Sequence, residues 1–308
     1  NTLLVAFIGI ILATLLGLIV GVARLSPNYL IRKTASFYIE FFRNVPLLLQ
    51  IFFWYFAALR ALPMPQDATM ILGSSFMTIK GFYTPAPIWT NFDVFFTTLV
   101  AALFLVFFFV KFAKKKQEQE GKQLPVLIIS LLIFIGLPLL TFLVGGVDLS
   151  FSFPELRKMS QSSYTFDGGM GIPPELIALT LALTLYTATF IAENVRAGIQ
   201  GIGKGQKEAA ASIGLTPSQV LKLVIMPQAL RIIIPPTTNQ YLNLTKNSSL
   251  AAAIAYPDIV LVFAGTALMQ TGRAIEIISI TMGTYLFLSL TISVLMNSYN
   301  KKMAIKEK

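Results

Sequence analysis

Four polar side chains recur inside one long, otherwise apolar stretch. Asn239, Asn243, Lys246 and Asn247 are spaced at i, i+4, i+7 and i+8, which sets them on one face of a helix. Asn supplies both a donor and an acceptor, and Lys246 supplies a cation that can meet a carboxylate. A zwitterion needs that set wherever water is absent. Counted from Arg231 at the boundary, a rise of ~1.5 Å per residue puts Asn239 and Asn243 roughly 12 to 18 Å deep, near the middle of a ~30 Å hydrocarbon core. A substrate pathway and hydrogen-bonded glue between the helices of two subunits both fit this pattern.

The chain has no Cys and no His. That removes thiolate nucleophiles, disulfides, imidazole bases and the usual zinc and haem ligand sets together. With no paired carboxylates in the apolar segments, an intramembrane enzyme is disfavoured. Glu193 and Arg196 stand three apart at a helix end and are placed to pair as a structural latch. Gly198, Gly203 and Lys204 have the spacing of a phosphate-binding loop, but Gly205 stands where Ser or Thr must hold magnesium, and no strand precedes them. The sequons at Asn243 and Asn247 fall in an apolar stretch and carry no glycosylation message.

The elements that position these residues are membrane spans. The composition is 55% hydrophobic and 12% charged with a mean hydropathy of +0.73, outside the range of a soluble chain. Apolar segments lie at 2–23, 45–62, 93–112, 124–146, 174–192, 227–245 and 276–298. An eighth, weaker one at 247–270 is interrupted by Pro257 and Asp258 and reads as a partly buried or re-entrant element. The expected fold is therefore an all-α polytopic bundle of about seven or eight transmembrane helices. It divides into two core spans (1–62), an exterior loop (63–92), an inserted hairpin (93–146), a second exterior loop (147–173), a core domain (174–302) and a tail (303–308).

The net charge of +10 is a matter of placement, not of nucleic acid. Arg24, Arg32 and Lys33; Lys111, Lys114, Lys115, Lys116 and Lys122; Arg196, Lys204, Lys207 and Lys222; and Lys301, Lys302, Lys306 and Lys308 all fall on alternate connections. The positive-inside rule makes that side cytoplasmic, with Asn1 outside and the C-terminus inside. An outward start at Asn1 suggests further material upstream. Trp54 and Trp89 suit interface anchoring. Thr180, Thr184 and Thr187, beside small residues, suit close helix packing, and the Phe-rich run at 104–109 suits lipid.

The connection at 196–222 is the most informative. Glu208 to Ile213 are good helix formers, and Gly214 is a natural left-handed stop. Thr216, Pro217 and Gln219 make the start of a second helix with a capping box. A short stiff helix ending at a sharp corner can seat in a partner's groove or lie on lipid headgroups.

Here the sequence resembles a known family. Glu208-Ala209-Ala210, then Gly214 and Val224-Ile225-Met226-Pro227, is similar to the "EAA" loop of type I ABC-importer membrane subunits with a MetI-like core. Ala192-Glu193-Asn194-Val195-Arg196-Ala197-Gly198, Gly205-Gln206, Pro227-Gln228-Ala229-Leu230-Arg231, Lys246-Asn247-Ser248-Ser249-Leu250 and Phe42-Arg43-Asn44-Val45-Pro46-Leu47-Leu48-Leu49-Gln50 resemble the polar and general L-amino-acid permeases. The likeness spans the chain except about 63–172.

It implies that Gly205, Gln206, Glu208, Ala209, Ala210 and Gly214 form the loop that docks on a cytosolic ATPase. It implies two such ATPases, a second permease subunit, identical or homologous, and an extracytoplasmic amino-acid-binding protein. ATP and magnesium would sit on the ATPase, with no cofactor or metal in this chain, which would be a non-catalytic, multi-pass subunit in a bacterial cytoplasmic membrane importing amino acids. An ion-coupled carrier, which usually needs intramembrane carboxylates, and a channel, which needs no coupling helix, are the alternatives.

Overall fold

A computed structural model describes residues 1–71, 73–121, 124–144, 147–160 and 163–303. Lys122, Lys306 and Lys308 lie outside the described residues, as do the glycines at 145 and 146 and most of the tail at 303–308. The chain divides into two compact units. One comprises Asn1–Met64, Thr78–Gly81 and Ile172–Lys308, the other Pro65–Met77 with Phe82–Gly171.

Among the described residues, six helices are long and apolar enough to cross a membrane, or seven if one bent pair counts as a span. The first unit opens with α1 (Thr2–Arg24) and α2 (Tyr29–Asn44), started by Asn28, whose side chain accepts from the Leu30 and Ile31 N–H groups. After a 101° bend comes α3 (Leu47–Phe52), continued by a π-helical turn at Phe53–Ala58 and a short 3-10 turn. The segment expected at 45–62 is thus one arm of an elbow. Pro46 forces Val45 into extended backbone (φ −88°, ψ 128°), as a residue before proline must be. The buried Gln50 then donates from Nε2 to the Phe42 and Val45 carbonyls at 2.8 and 3.0 Å, satisfying the broken end of α2.

The second unit holds α4 (Phe92–Glu120) and α5 (Val126–Val144), joined by a Thr98–Thr141 hydroxyl contact of 3.3 Å. Helix α4 runs well past residue 112 because Lys, Gln and Glu, invisible to a hydropathy scan, are good helix formers. The segments expected as plain loops carry short strands: β1 (Met70–Ile71), β2 (Ser75–Thr78), β3 (Gly81–Thr84), β4 (Ala86–Trp89), β5 (Leu149–Ser152), β6 (Glu155–Ser160), β7 (Ser163–Asp167) and β8 (Met170–Ile172). Their frequent Pro and Gly hide the alternation. Strand β4 pairs antiparallel with β5, Pro87 opposite Phe151 and Trp89 opposite Leu149, and β6 pairs with β7. Phe166 stacks on Phe76 and meets the tilted ring of Tyr83, with ring centroids 4.5 and 4.8 Å away. Arg157 donates to Asp167 at 2.7 Å across the β6–β7 pair. That bond, helped by the Gly168 N–H, holds the Asp167 carboxyl below the usual carboxylate range.

The remaining helices return to the first unit: α6 (Pro174–Gln200), α7 (Lys204–Ser212), α8 (Pro217–Gln219), α9 (Met226–Asn247, with Pro235 and Pro236 inside it), α10 (Leu268–Thr271) and α11 (Ala274–Met303). Helix α8 runs through a π turn into α9, so Pro217–Ile254 is one 38-residue helical body. Of the six span candidates α6 is the most enclosed, with 61% of its apolar window buried.

The partner of α6 is α1. Gly9, Ala13, Gly17 and Gly21 recur every fourth residue and are buried. A Cβ built at Gly17 would stand 2.7 Å from Ile191, and one at Gly21 2.7 Å from Val195 and 2.8 Å from the Ala192 carbonyl. The two backbones therefore touch at Gly17 and Gly21, while Gly9 receives Leu244 of α9, the small-residue packing that lipid surroundings favour. Thr184 and Thr187 of α6 are buried beside Ala182, Leu183 and Ala188, where close packing puts them.

The weak eighth segment is broken, too short to span. A 3-10 stretch at Ser248–Ile254 ends at Ala255 in left-handed backbone (φ 57°), and the helical piece Leu261–Thr271 falls below the ~20 residues a span needs. Between them Asp258 is 2% exposed. Its Oδ1 accepts the Leu261 N–H at 2.8 Å and its Oδ2 the Tyr285 hydroxyl at 3.1 Å.

The α1–α6 stripe gives the first prediction. Gly21→Leu should lower stability by about 1 to 3 kcal/mol, the cost of overpacking a close contact, seen as a fall in the melting temperature of the detergent-solubilised chain. Gly136→Ala in α5, where an added Cβ meets nothing within 4 Å, should leave it level or slightly raised. Equal melting temperatures for both variants would refute the backbone contact.

Candidate functional site

Helix α7 is built to stop sharply. Gly214 takes φ +83°, its N–H donates to the Ala211 carbonyl at 2.9 Å, and the Leu215 N–H reaches the Ala210 carbonyl at 3.3 Å. This pair of bonds is the Schellman motif, which fixes both the end and the exit direction of a helix. The chain re-enters a helix at once. Thr216 and Gln219 form the expected capping box, with Gln219 N–H on Thr216 Oγ1 at 3.4 Å and Thr216 N–H on Gln219 Oε1 at 2.9 Å. Two caps within six residues leave the corner little freedom.

The helix starts earlier than Glu208, at Lys204, and only Ala210 of it is buried. Lys204 to Ala209 are exposed, as are Ala211, Ser212, Ile213 and Gly214. Thus Gly205, Gln206, Glu208, Ala209 and Gly214 share one open helix-and-corner surface, with Ala210 as its inward anchor. Gln228 of α9 donates from Nε2 to Gln206 Oε1 at 3.4 Å, tying the helix to the one that follows the corner.

The α9 face lies at the other end of the same helical body. Asn239, Asn243 and Lys246 are exposed and Asn247 is half-buried, while Thr237, Thr238, Leu244 and Thr245 turn inward. The three exposed side chains make a polar strip without a partner among the described residues, and Lys246 borders a groove of about 410 Å³ shared with Ser249, Thr281, Tyr285 and Ser289. The buried threonines spend their hydroxyls on their own helix, Thr237 on the Ile233 carbonyl at 2.7 Å and Thr245 on that of Tyr241 at 2.9 Å. They leave that strip as the polar surface of α9 in this region.

Glu193 and Arg196 meet, Arg196 Nε donating to both carboxylate oxygens at 3.1 and 3.2 Å. Arg24, the last residue of α1, grips the same carboxylate. Sequence reasoning missed this third member because its partner is 169 positions away. It also passed over Asp258 as a mere interruption. A carboxylate between apolar runs is the signal that could have marked it as a buried cap. Gly198 is not part of a phosphate loop: it lies inside α6, and a Cβ there would sit 2.3 Å from Ile233.

No protein-family model matches the chain. It is 51% identical over 309 residues to the amino-acid ABC transporter permease protein YhdX of Escherichia coli, covering 100% of this chain and 77% of that one. It is 47% identical to the general L-amino acid transport system permease protein AapQ of Rhizobium johnstonii, covering 100% and 76%. It is 41% identical to the glutamate/glutamine/aspartate/asparagine permease protein BztB of Rhodobacter capsulatus, covering 93% and 73%. Among solved structures, an amino acid ABC transporter with histidines superposes with a TM-score of 0.56 at 21% identity, covering 98% of this chain and 90% of that one. The methionine transporter MetNI in an inward-facing form gives 0.54 at 16%, covering 99% and 93%. At such identities the structures speak for the fold, and the three relatives carry the rest: this chain is a membrane-spanning permease subunit of the amino-acid ABC transporter family.

Proposed function

We propose that this chain forms, with a second identical or homologous permease, a pathway for general, mainly polar L-amino acids into the cytoplasm. ABC permeases work with ATPase subunits and a substrate-binding protein. Here two ATPases would each receive one α7, with ATP and magnesium on the ATPases and no covalent step in this chain. An extracytoplasmic amino-acid-binding protein would deliver substrate on the other face, and the basic connections and C-terminus would face the cytoplasm. The observation that carries this reading is mechanical. An exposed short helix, stopped by Gly214 and recapped by Thr216, opens directly into the helical body that bears Asn239, Asn243 and Lys246. ATP-driven movement of α7 then alters the pathway face, as alternating access requires.

In the pathway, Lys246 would meet the substrate carboxylate while the asparagines replace its lost water, and the Glu193–Arg24–Arg196 cluster would latch the ends of α1 and α6. An ion-coupled carrier finds less support. Asp258, a carboxylate among the apolar helices, is committed to a helix cap and to Tyr285.

Five variants test this in proteoliposomes holding the assembled transporter, its ATPase and its binding protein. Glu208→Ala should cut ATP-driven import by about tenfold, the effect of losing one interface contact of ~1.4 kcal/mol. Gly214→Val, strained at its positive φ by on the order of 1 to 3 kcal/mol, should cut it further. Deleting 206–214 should abolish import, and solute flux surviving that deletion would identify a channel. Separately, Asn239→Leu with Asn243→Leu should slow import several-fold, and Lys246→Met should raise the substrate KM about tenfold, the worth of one charge-assisted contact. Unchanged transport and unchanged ATPase activity in both variants would remove these residues from the pathway.

A further inference from the structure

The α4–α5 hairpin has no part in the coupling just described. Each of its spans buries only 6% of its apolar window, and Phe104, Phe107 and Phe108 are among the side chains left exposed. A helix apolar on all sides with so little protein over it meets acyl chains. At one end the β4–β5 ribbon sets Trp89 against Phe92 and Phe95, ring centroids 6.1 and 5.1 Å away. Trp in such a place marks a bilayer boundary. From Phe92 to Lys111, α4 rises about 28 Å at ~1.5 Å per residue, close to the ~30 Å thickness of the hydrocarbon core. Lys111 therefore arrives at the opposite boundary. Lys114, Lys115 and Lys116 stand roughly 4 to 8 Å beyond it, at the depth of lipid phosphates.

The side chains are arranged to stay there. The Lys111 ammonium lies 4.6 Å from the Phe107 ring centroid and that of Lys116 5.8 Å from the Phe112 centroid, so the apolar stems run along the helix while the charges remain at its edge. The ion pairs found among the described residues engage Arg24, Arg157 and Arg196 instead of these lysines. Glu118 and Glu120 lie beyond them, toward the helix end at Gly121.

We propose that Lys111, Lys114, Lys115 and Lys116 form a binding site for anionic phospholipid headgroups, whose phosphodiester lacks a balancing cation, so that the hairpin holds a shell of acidic lipid at this boundary. Four lysines within about one and a half turns at the boundary end of the lipid-facing α4 supply the complementary charge, and each adds to the attraction near an anionic surface.

The test is native mass spectrometry of the assembled transporter titrated with phosphatidylglycerol or, as the zwitterionic comparison, phosphatidylcholine. The variant with Lys111→Gln, Lys114→Gln, Lys115→Gln and Lys116→Gln should retain phosphatidylglycerol about tenfold or more weakly, while phosphatidylcholine is unaffected. The same four positions changed to Arg should keep it, and Lys301→Gln with Lys302→Gln should not reproduce the loss. The proposal is overturned by equal loss in the two Gln variants, by equal retention of both lipids, or by displacement with inorganic phosphate at matching concentration. A loss of co-purifying ATPase with unchanged lipid would make the lysines a protein contact and overturn it too. Should the fourfold Gln variant fail to assemble, raising salt from about 50 to about 500 mM on the native transporter must strip phosphatidylglycerol selectively. Retention indifferent to salt also counts against the site.

Discussion

The contact of α1 with α6 is the constraint from which the rest of the first unit follows. Lipid tails are as apolar as Leu, so burying leucines gains little inside a bilayer. Helices there associate through close approach, dispersion and hydrogen bonds instead. Gly17 and Gly21 provide that approach, and Gly9 on the same stripe receives Leu244 of α9. Once the two backbones touch, α6 has its other faces free for α2, α3 and α9, and it becomes the enclosed axis of the unit. The cluster of Arg24 and Arg196 around Glu193 closes the same seam at one end with charge.

Against this fixed seam, the functional surfaces stand out by what does not cover them. Helix α7 keeps one alanine inside and turns the remainder outward. Helix α9 buries its threonines, whose hydroxyls are spent on their own backbone, and exposes its asparagines and lysine. A chain folded alone would gain by hiding Asn239, Asn243 and Lys246 from hydrocarbon, because polar groups in lipid are costly. Their exposure on one strip makes sense when a neighbouring subunit or a water-filled path completes the surroundings.

Much of this was legible in the residues. Hydropathy located the spans, because twenty apolar residues in a row have few other uses, and the α7 corner could be written down from Gly214, Thr216, Pro217 and Gln219 alone. Each of those acts within a few residues of itself. What escaped was non-local or disguised. The partner of Glu193 in α1, the seating of Gly17 and Gly21 on Ile191 and Val195, and the hydroxyl of Tyr285 on Asp258 depend on segments far apart in sequence. The elbow at Pro46 passed for a straight span because a bend removes no hydrophobicity. The strands between residues 63 and 92 and between 147 and 173 were hidden by their brevity and by interspersed Pro and Gly. The polar strip on α9 was legible as a periodicity, yet its direction, outward from the chain, was not.

Adjacent prolines within α9 give that helix a mechanical character of its own. Pro235 and Pro236 have no N–H to offer, so the carbonyls of Arg231 and Ile232, one turn earlier, lose two consecutive rungs of the ladder. A rod missing neighbouring rungs yields there before it yields anywhere else. Displacement entering at the Gly214 end would thus reach Asn239 and Lys246 as a change of angle between two half-rods, and the stiffness of a single turn would set how far the asparagines swing.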